Sequence, residues 1–179
     1  MPRTSTYKIF RIAAVAILFF LATAVYTQTV GVRPGVGLYE EAVGLEGLVE
    51  GRFNLPFFED GPGTITASAL LGYSYVSVDD ASKNGVMLAA GSGYEIRFNP
   101  EEIYANPGLI LGTEFSQFEG AELESEVAIL LQPYVEAGYE FDFNISAGVQ
   151  AGFKNLLYFG DEASSERSIT LGPVVHYRF

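Results

Sequence analysis

Residues Ile169 to Phe179 read ITLGPVVHYRF, and their alternation decides how the rest of the chain is read. Ile169, Leu171, Pro173, Val175, Tyr177 and Phe179 share one side of an extended chain. Thr170, Gly172, Val174, His176 and Arg178 share the other, because successive strand side chains point to opposite faces. The result is a strand with one apolar face, one mostly polar or small face, and an aromatic residue at its end.

Working back from there, the same alternation predicts seven more strands, at 29–38, 44–55, 64–76, 85–98, 108–118, 127–139 and 144–154, separated by clusters of Gly, Asp, Asn and Glu. Each has about ten or more residues, enough to cross hydrocarbon on a tilted path. A lipid-spanning sheet must close on itself, since no backbone group can be left unpaired there. The expected fold is therefore all-β: an eight-stranded antiparallel up-and-down transmembrane β-barrel. A water-soluble sandwich of similar strands would need more charge and fewer glycines on its outer faces. Pro34, Pro133 and Pro173 interrupt three of these strands, and bulges are the expected accommodation.

Charge placement follows the same parity. The non-apolar faces collect Glu46, Glu50, Glu95, Glu114 and Glu136 together with Arg33, Arg52, Arg97, Lys154 and Arg178, five acids against five bases, while the apolar faces of the eight segments collect no charge. A narrow lumen needs such balance, because an unpaired buried charge is expensive. These ten residues are the expected luminal network, with Gln, Ser and Gly filling the remaining space. Aromatics near strand ends (Phe57, Tyr75, Tyr94, Phe98, Phe115, Phe118, Tyr139, Phe143, Tyr177, Phe179) are placed as two interfacial girdles require.

At the other end of the chain, Arg3, Lys8 and Arg11 precede the apolar run Ile12 to Ala24, which closes in Ala22-Thr23-Ala24. A basic start, a short apolar stretch and a small-residue site predict a cleavable signal peptide over 1–24, leaving 25–179 as the barrel domain. The run, at roughly 13 residues, falls short of the ~20 that a membrane-spanning helix needs. Cleavage would remove three of the 10 bases and none of the 22 acids, giving 7 − 22 = −15. A surface so negative repels nucleic acid. The chain has no cysteine, which excludes disulfides and thiol chemistry.

Signal peptide, eight alternating segments and the terminal VVHYRF together resemble the small outer-membrane β-barrel family that includes the OmpA transmembrane domain and OmpX. The resemblance implies a monomer in a bacterial outer membrane, both termini periplasmic, with membrane lipids and the barrel-assembly machinery as its partners. It also implies that Val175, Tyr177 and Phe179 form the assembly signal in the last strand. The outward loops would then carry Glu40, Glu41, Asp79, Asp80, the acids of 119–126 and those of 161–166. The function expected is structural, with a side-chain-plugged interior and acidic loops for envelope contacts; a narrow solute pore and a lipid-modifying enzyme are the alternatives. A cell-wall tether of the OmpA kind is not expected.

For catalysis, the one histidine, His176, falls inside near the periplasmic rim, where pairing with Glu95 or a neighbour is expected rather than activation of a nucleophile. The acids Glu119, Glu122, Glu124 and Glu126 lack the order of a calcium loop and read as a solvated surface. No cofactor or metal site is expected.

Overall fold

The computed structural model describes residues 28–40, 42–55, 63–78, 81–98, 102–119, 124–141, 143–159 and 164–179. The expected signal peptide and Phe57 lie outside them. Eight strands, β1 (Thr29–Leu38), β2 (Val43–Asn54), β3 (Gly63–Val78), β4 (Ala81–Arg97), β5 (Ile103–Glu119), β6 (Glu124–Phe141), β7 (Ile145–Tyr158) and β8 (Ser164–Arg178), pair in sequence order into a closed antiparallel barrel. The first strand meets the last from Thr29 opposite Arg178 to Leu38 opposite Ile169.

The register fixes the bore. Paired residues run Val30, Gly51, Ala69, Ala90, Leu111, Leu131, Asn155 and Arg167 around the wall. Extending the Leu38–Ile169 pairing by two places sets Arg167 level with Glu40, so one circuit returns to β1 at a stagger of 40 − 30 = 10 residues. With strands ~4.8 Å apart and a rise of ~3.3 Å per residue, that stagger gives a tilt of about 40° and a backbone radius of about 8 Å. Side chains alone fill such an interior.

The prolines overturn one expectation, since no strand carries a bulge. In every pair the partner numbers keep one constant sum across the whole ladder, 207 for β1 and β8 from Thr29–Arg178 to Leu38–Ile169. Instead, two or three consecutive rungs are missing at each proline site. The β1–β8 ladder has no Pro34–Pro173 pair, β4–β5 lacks Tyr94–Pro107, and β6–β7 lacks Pro133–Phe153. Each missing donor faces the neighbour at the gap, as the alternation of bonded and non-bonded pairs requires. All four proline rings face outward. Lipid needs no donor from them, and the unbroken register keeps every side chain on its own face.

Sidedness is inverted relative to a water-soluble domain. Leu45 is 62 % exposed and Val149 59 %, whereas Glu50, Glu114 and Glu136 are each 0 % exposed. Exposed Phe98, Tyr139, Phe141, Tyr177 and Phe179 gather at the end that carries the termini, with edge-to-face pairs Tyr139–Phe141 (5.0 Å between centroids) and Tyr177–Phe179 (5.3 Å). Tyr73 and Tyr75 stand exposed toward the far end. Phe118 departs from the expected girdle: it faces the lumen and packs on Tyr158, at 6.4 Å.

Several strands outrun the expected segments. β4 begins at Ala81, β5 at Ile103, β6 at Glu124 and β8 at Ser164, and β7 continues to Tyr158. A tilted strand of 17 residues, the length of β4 and β5, rises about 40 Å, well past an apolar band of ~25 Å. Beyond that band the backbone ladder continues while both faces can be polar, so the hydrophobic alternation lapses before the strand does. Exposed Arg167 illustrates this, sitting on the outward face of β8 beyond the apolar stretch.

The charge-packed interior as candidate functional site

Inward-facing residues build two charged layers. Toward the terminal end, Arg33 of β1 and Arg52 of β2 converge on Glu50 and Glu136. Arg52 donates to Glu136 at 2.8 Å and to Glu50 at 3.3 Å; Arg33 donates to Glu136 at 3.1 Å and also pairs with Glu50 and Gln150. The Tyr104 hydroxyl donates to Glu136 at 3.0 Å, and the Arg33 guanidinium lies 5.2 Å from the centre of the Tyr134 ring. At the rim, Arg97 pairs with Glu95 (2.9 Å) and Glu140 (2.6 Å), and Arg178 pairs with Glu140 (2.8 Å). A 4.0 Å approach of Arg52 to Glu95 joins rim and layer.

Toward the far end, Lys154 of β7 bridges Glu46 and Glu114, at 2.8 Å each, while Lys83 of β4 bridges Glu114 (3.0 Å) and Glu166 (2.8 Å). Lys83 also donates to the Tyr158 hydroxyl at 2.6 Å, beneath the Phe118 and Tyr158 rings. Carboxylates accept and ammonium groups donate, so each lysine is held between two acids rather than beside one.

Partly between the layers and partly level with the far one lies an apolar girdle that the sequence reading did not foresee. Leu48, Leu70, Met87, Ala89, Ile110, Ala128, Leu130 and Leu156 cluster inside the barrel with Tyr134 and Tyr158. On β2 the inward order is Glu46, Leu48, Glu50, one step per layer. The interior is therefore not uniformly polar, as expected, but combines two charged layers with an apolar cluster and a buried Gln132–Thr170 hydrogen bond of 2.9 Å. The signal was present in Leu70-Leu71, Met87-Leu88-Ala89-Ala90, Leu109-Ile110-Leu111 and Ala128-Ile129-Leu130-Leu131, where alternation gives way to runs that are apolar on both faces.

All ten of Arg33, Glu46, Glu50, Arg52, Glu95, Arg97, Glu114, Glu136, Lys154 and Arg178 point inward and carry ion pairs. Lys83, Glu140 and Glu166 join them. The five-to-five count thus becomes seven acids against six Lys and Arg. His176 also belongs to the terminal layer. Its Nε2 lies 3.3 Å from Glu50 and its Nδ1 3.5 Å from Glu136, not beside Glu95. The ring lies over Gly31, where a β-carbon would collide with it. Ser146 faces His176 across the β7–β8 ladder, while the two ring nitrogens of the histidine lie against Glu50 and Glu136. Val175, Tyr177 and Phe179 face outward at the terminal rim.

An apolar exterior, a charge-matched interior and a sealed first-to-last seam define a transmembrane β-barrel of the outer-membrane kind. No family model and no curated relative matches the sequence. Among solved structures, Neisserial surface protein A aligns with a TM-score of 0.60 at 11 % identity, over 84 % of this chain and 95 % of its own. The N-terminal β-barrel domain of Pseudomonas aeruginosa OprF gives 0.52 at 11 %, over 84 % and 98 %. The outer membrane enzyme PagL gives 0.50 at 18 %, over 83 % and 99 %. At these identities the likeness is one of fold: this chain is a small eight-stranded barrel similar to outer-membrane proteins of differing roles.

Proposed function

We propose that the protein is a structural outer-membrane barrel whose bore is closed by its own side chains and whose acidic hairpin ends meet other components of the envelope. The two charged layers carry this reading. An interior about 8 Å in backbone radius has little space left once Arg33, Arg52, Glu50, Glu136 and His176 fill one level and Lys83, Lys154, Glu46 and Glu114 another. Most bonds there run between strands, Arg33 and Arg52 to Glu136 and Lys154 to Glu46 and Glu114 among them, so the network ties opposite walls together and resists both collapse and opening.

In this proposal the termini face the periplasm, and the far hairpin ends, which carry most of the acids outside the lumen, face outward as a surface that draws cations and cationic groups. Val175, Tyr177 and Phe179, an outward aromatic-edged row on the last strand, serve as the feature read during assembly. The barrel acts as a monomer, its apolar face fully covered by lipid.

The test is reconstitution. In planar bilayers the protein should add no steady conductance; channels in the nanosiemens range would overturn the plug. Extracted from outer membranes, it should migrate faster on a gel before boiling than after, and absence of that shift would overturn the closed barrel and its location together.

A further inference from the structure

The seam that closes the barrel is its least complete ladder. Hydrogen-bonded pairs alternate along it, and the Phe179 amide donating to the Gln28 carbonyl at 3.0 Å sets the phase. Counting by twos from Gln28 reaches Pro34, and from Phe179 reaches Pro173, so the two prolines face each other at a position where each should donate to the other. Neither has an N–H, and the pair is missing from the ladder. Two backbone carbonyls, Pro34 and Pro173, therefore lose their donors near the middle of the wall, where lipid supplies none. Elsewhere a proline gap costs one donor; only here among the described ladders do two coincide.

Three observations meet at this rung. The Pro34 carbonyl leans over the lumen side of Gly172, where a β-carbon would collide with its oxygen. A cavity of about 20 Å³ lies there, lined by Pro34, Gly35, Gly172 and Pro173 from the seam and by Arg33 and Gln150 from the lumen. Arg33 is 4 % exposed, and its Nε–H has no partner although one terminal nitrogen engages Gln150 and the other Glu50 and Glu136. The cavity is thus lined by the residue that carries an unpartnered buried N–H and by the two whose carbonyls have lost their donors, with Glu46, Gln132 and Thr170 completing its polar wall.

We propose that this cavity holds a structural water that takes the place of the missing rung. The water accepts from Arg33 Nε and donates to the Pro34 carbonyl, its second hydrogen free for Pro173 or Gln150. The volume fits: a site of roughly 10–15 Å³ or more, with two to four polar partners, holds one water. A metal ion is opposed by the guanidinium, and a lipid methylene would leave donor and acceptors as they were. Water reaches the seam from the polar interior, so the closing seam is wetted from within at mid-wall.

Water-edited NMR of the protein in lipid nanodiscs tests this directly, with solvent water as the probe. Magnetisation should pass from water to the α-protons of Gly35 and Gly172 and not to those of Leu71 and Val49, which face each other in the complete β2–β3 ladder. In a Pro34→Val, Pro173→Val double variant, which restores both donors, the water signals at Gly35 and Gly172 should be lost. A wild-type spectrum without those signals overturns the proposal, as do signals from lipid methylenes in their place or water signals undiminished in the variant. The wild-type measurement decides alone if the variant fails to fold.

Discussion

Glu136 shows what a single carboxylate does in this interior. It is 0 % exposed and receives Arg33, Arg52 and Tyr104, with His176 at 3.5 Å. Glu136→Gln keeps the shape and removes the charge, leaving two guanidinium groups with Glu50 as their shared buried acid. Loss of about 3–5 kcal/mol is expected, as when one partner of a buried pair is removed, measured by urea unfolding of the folded barrel in lipid. At Asn144 the issue is backbone. It holds φ 58° in the β6–β7 turn and its carbonyl accepts from the Arg178 amide at 2.8 Å. Asn144→Val should destabilise by about 1–2 kcal/mol, since a branched side chain resists the left-handed region. Asn144→Gly should leave stability within about 0.5 kcal/mol in the same assay. Arg52 and Glu136 could be placed from parity alone, because both sit inside segments whose alternation is clean. Lys83 and Glu166 could not, because they lie past the apolar band, where nothing but continued counting from Gly85 or Thr170 would have turned them inward.

At the scale of the strand, exterior and interior obey different rules. Leu111, 51 % exposed near the centre of β5, should tolerate exchange among aliphatics, whereas Leu111→Arg is expected to destabilise by about 2–4 kcal/mol, the range for a cation at mid-bilayer on a barrel's lipid face. Refolding yield and urea midpoint in vesicles check it, and an unchanged midpoint would show that this face does not meet hydrocarbon. Strand existence and facing were legible because a two-residue period has no substitute explanation over ten residues. Strand ends were not, because the period is imposed by lipid and stops with it. The prolines misled for a related reason: a bulge would repair the ladder but reverse the faces, and in a wall with oil on one side and charge on the other, losing two or three rungs is the smaller penalty.

For the whole molecule, the two charged layers of the interior form separate units. No ion pair among the described residues joins the layer of Arg33, Glu50, Arg52, Glu136 and His176 to that of Glu46, Lys83, Glu114, Lys154 and Glu166. Lys154→Met and Glu136→Gln should therefore add, the double variant matching the sum of the singles within about 0.3–0.5 kcal/mol. A larger coupling energy in the unfolding cycle would mean that the layers communicate through the girdle.

The constant register also governs how this chain can change length. With no extra residue anywhere in the wall, an insertion within a strand has nowhere to be absorbed: everything beyond it would change sides, sending guanidinium groups into fatty tails and valines against carboxylates. Gains and losses of sequence are consequently confined to the hairpin tips, which leaves the outer contour free to diversify around a barrel that stays the same size.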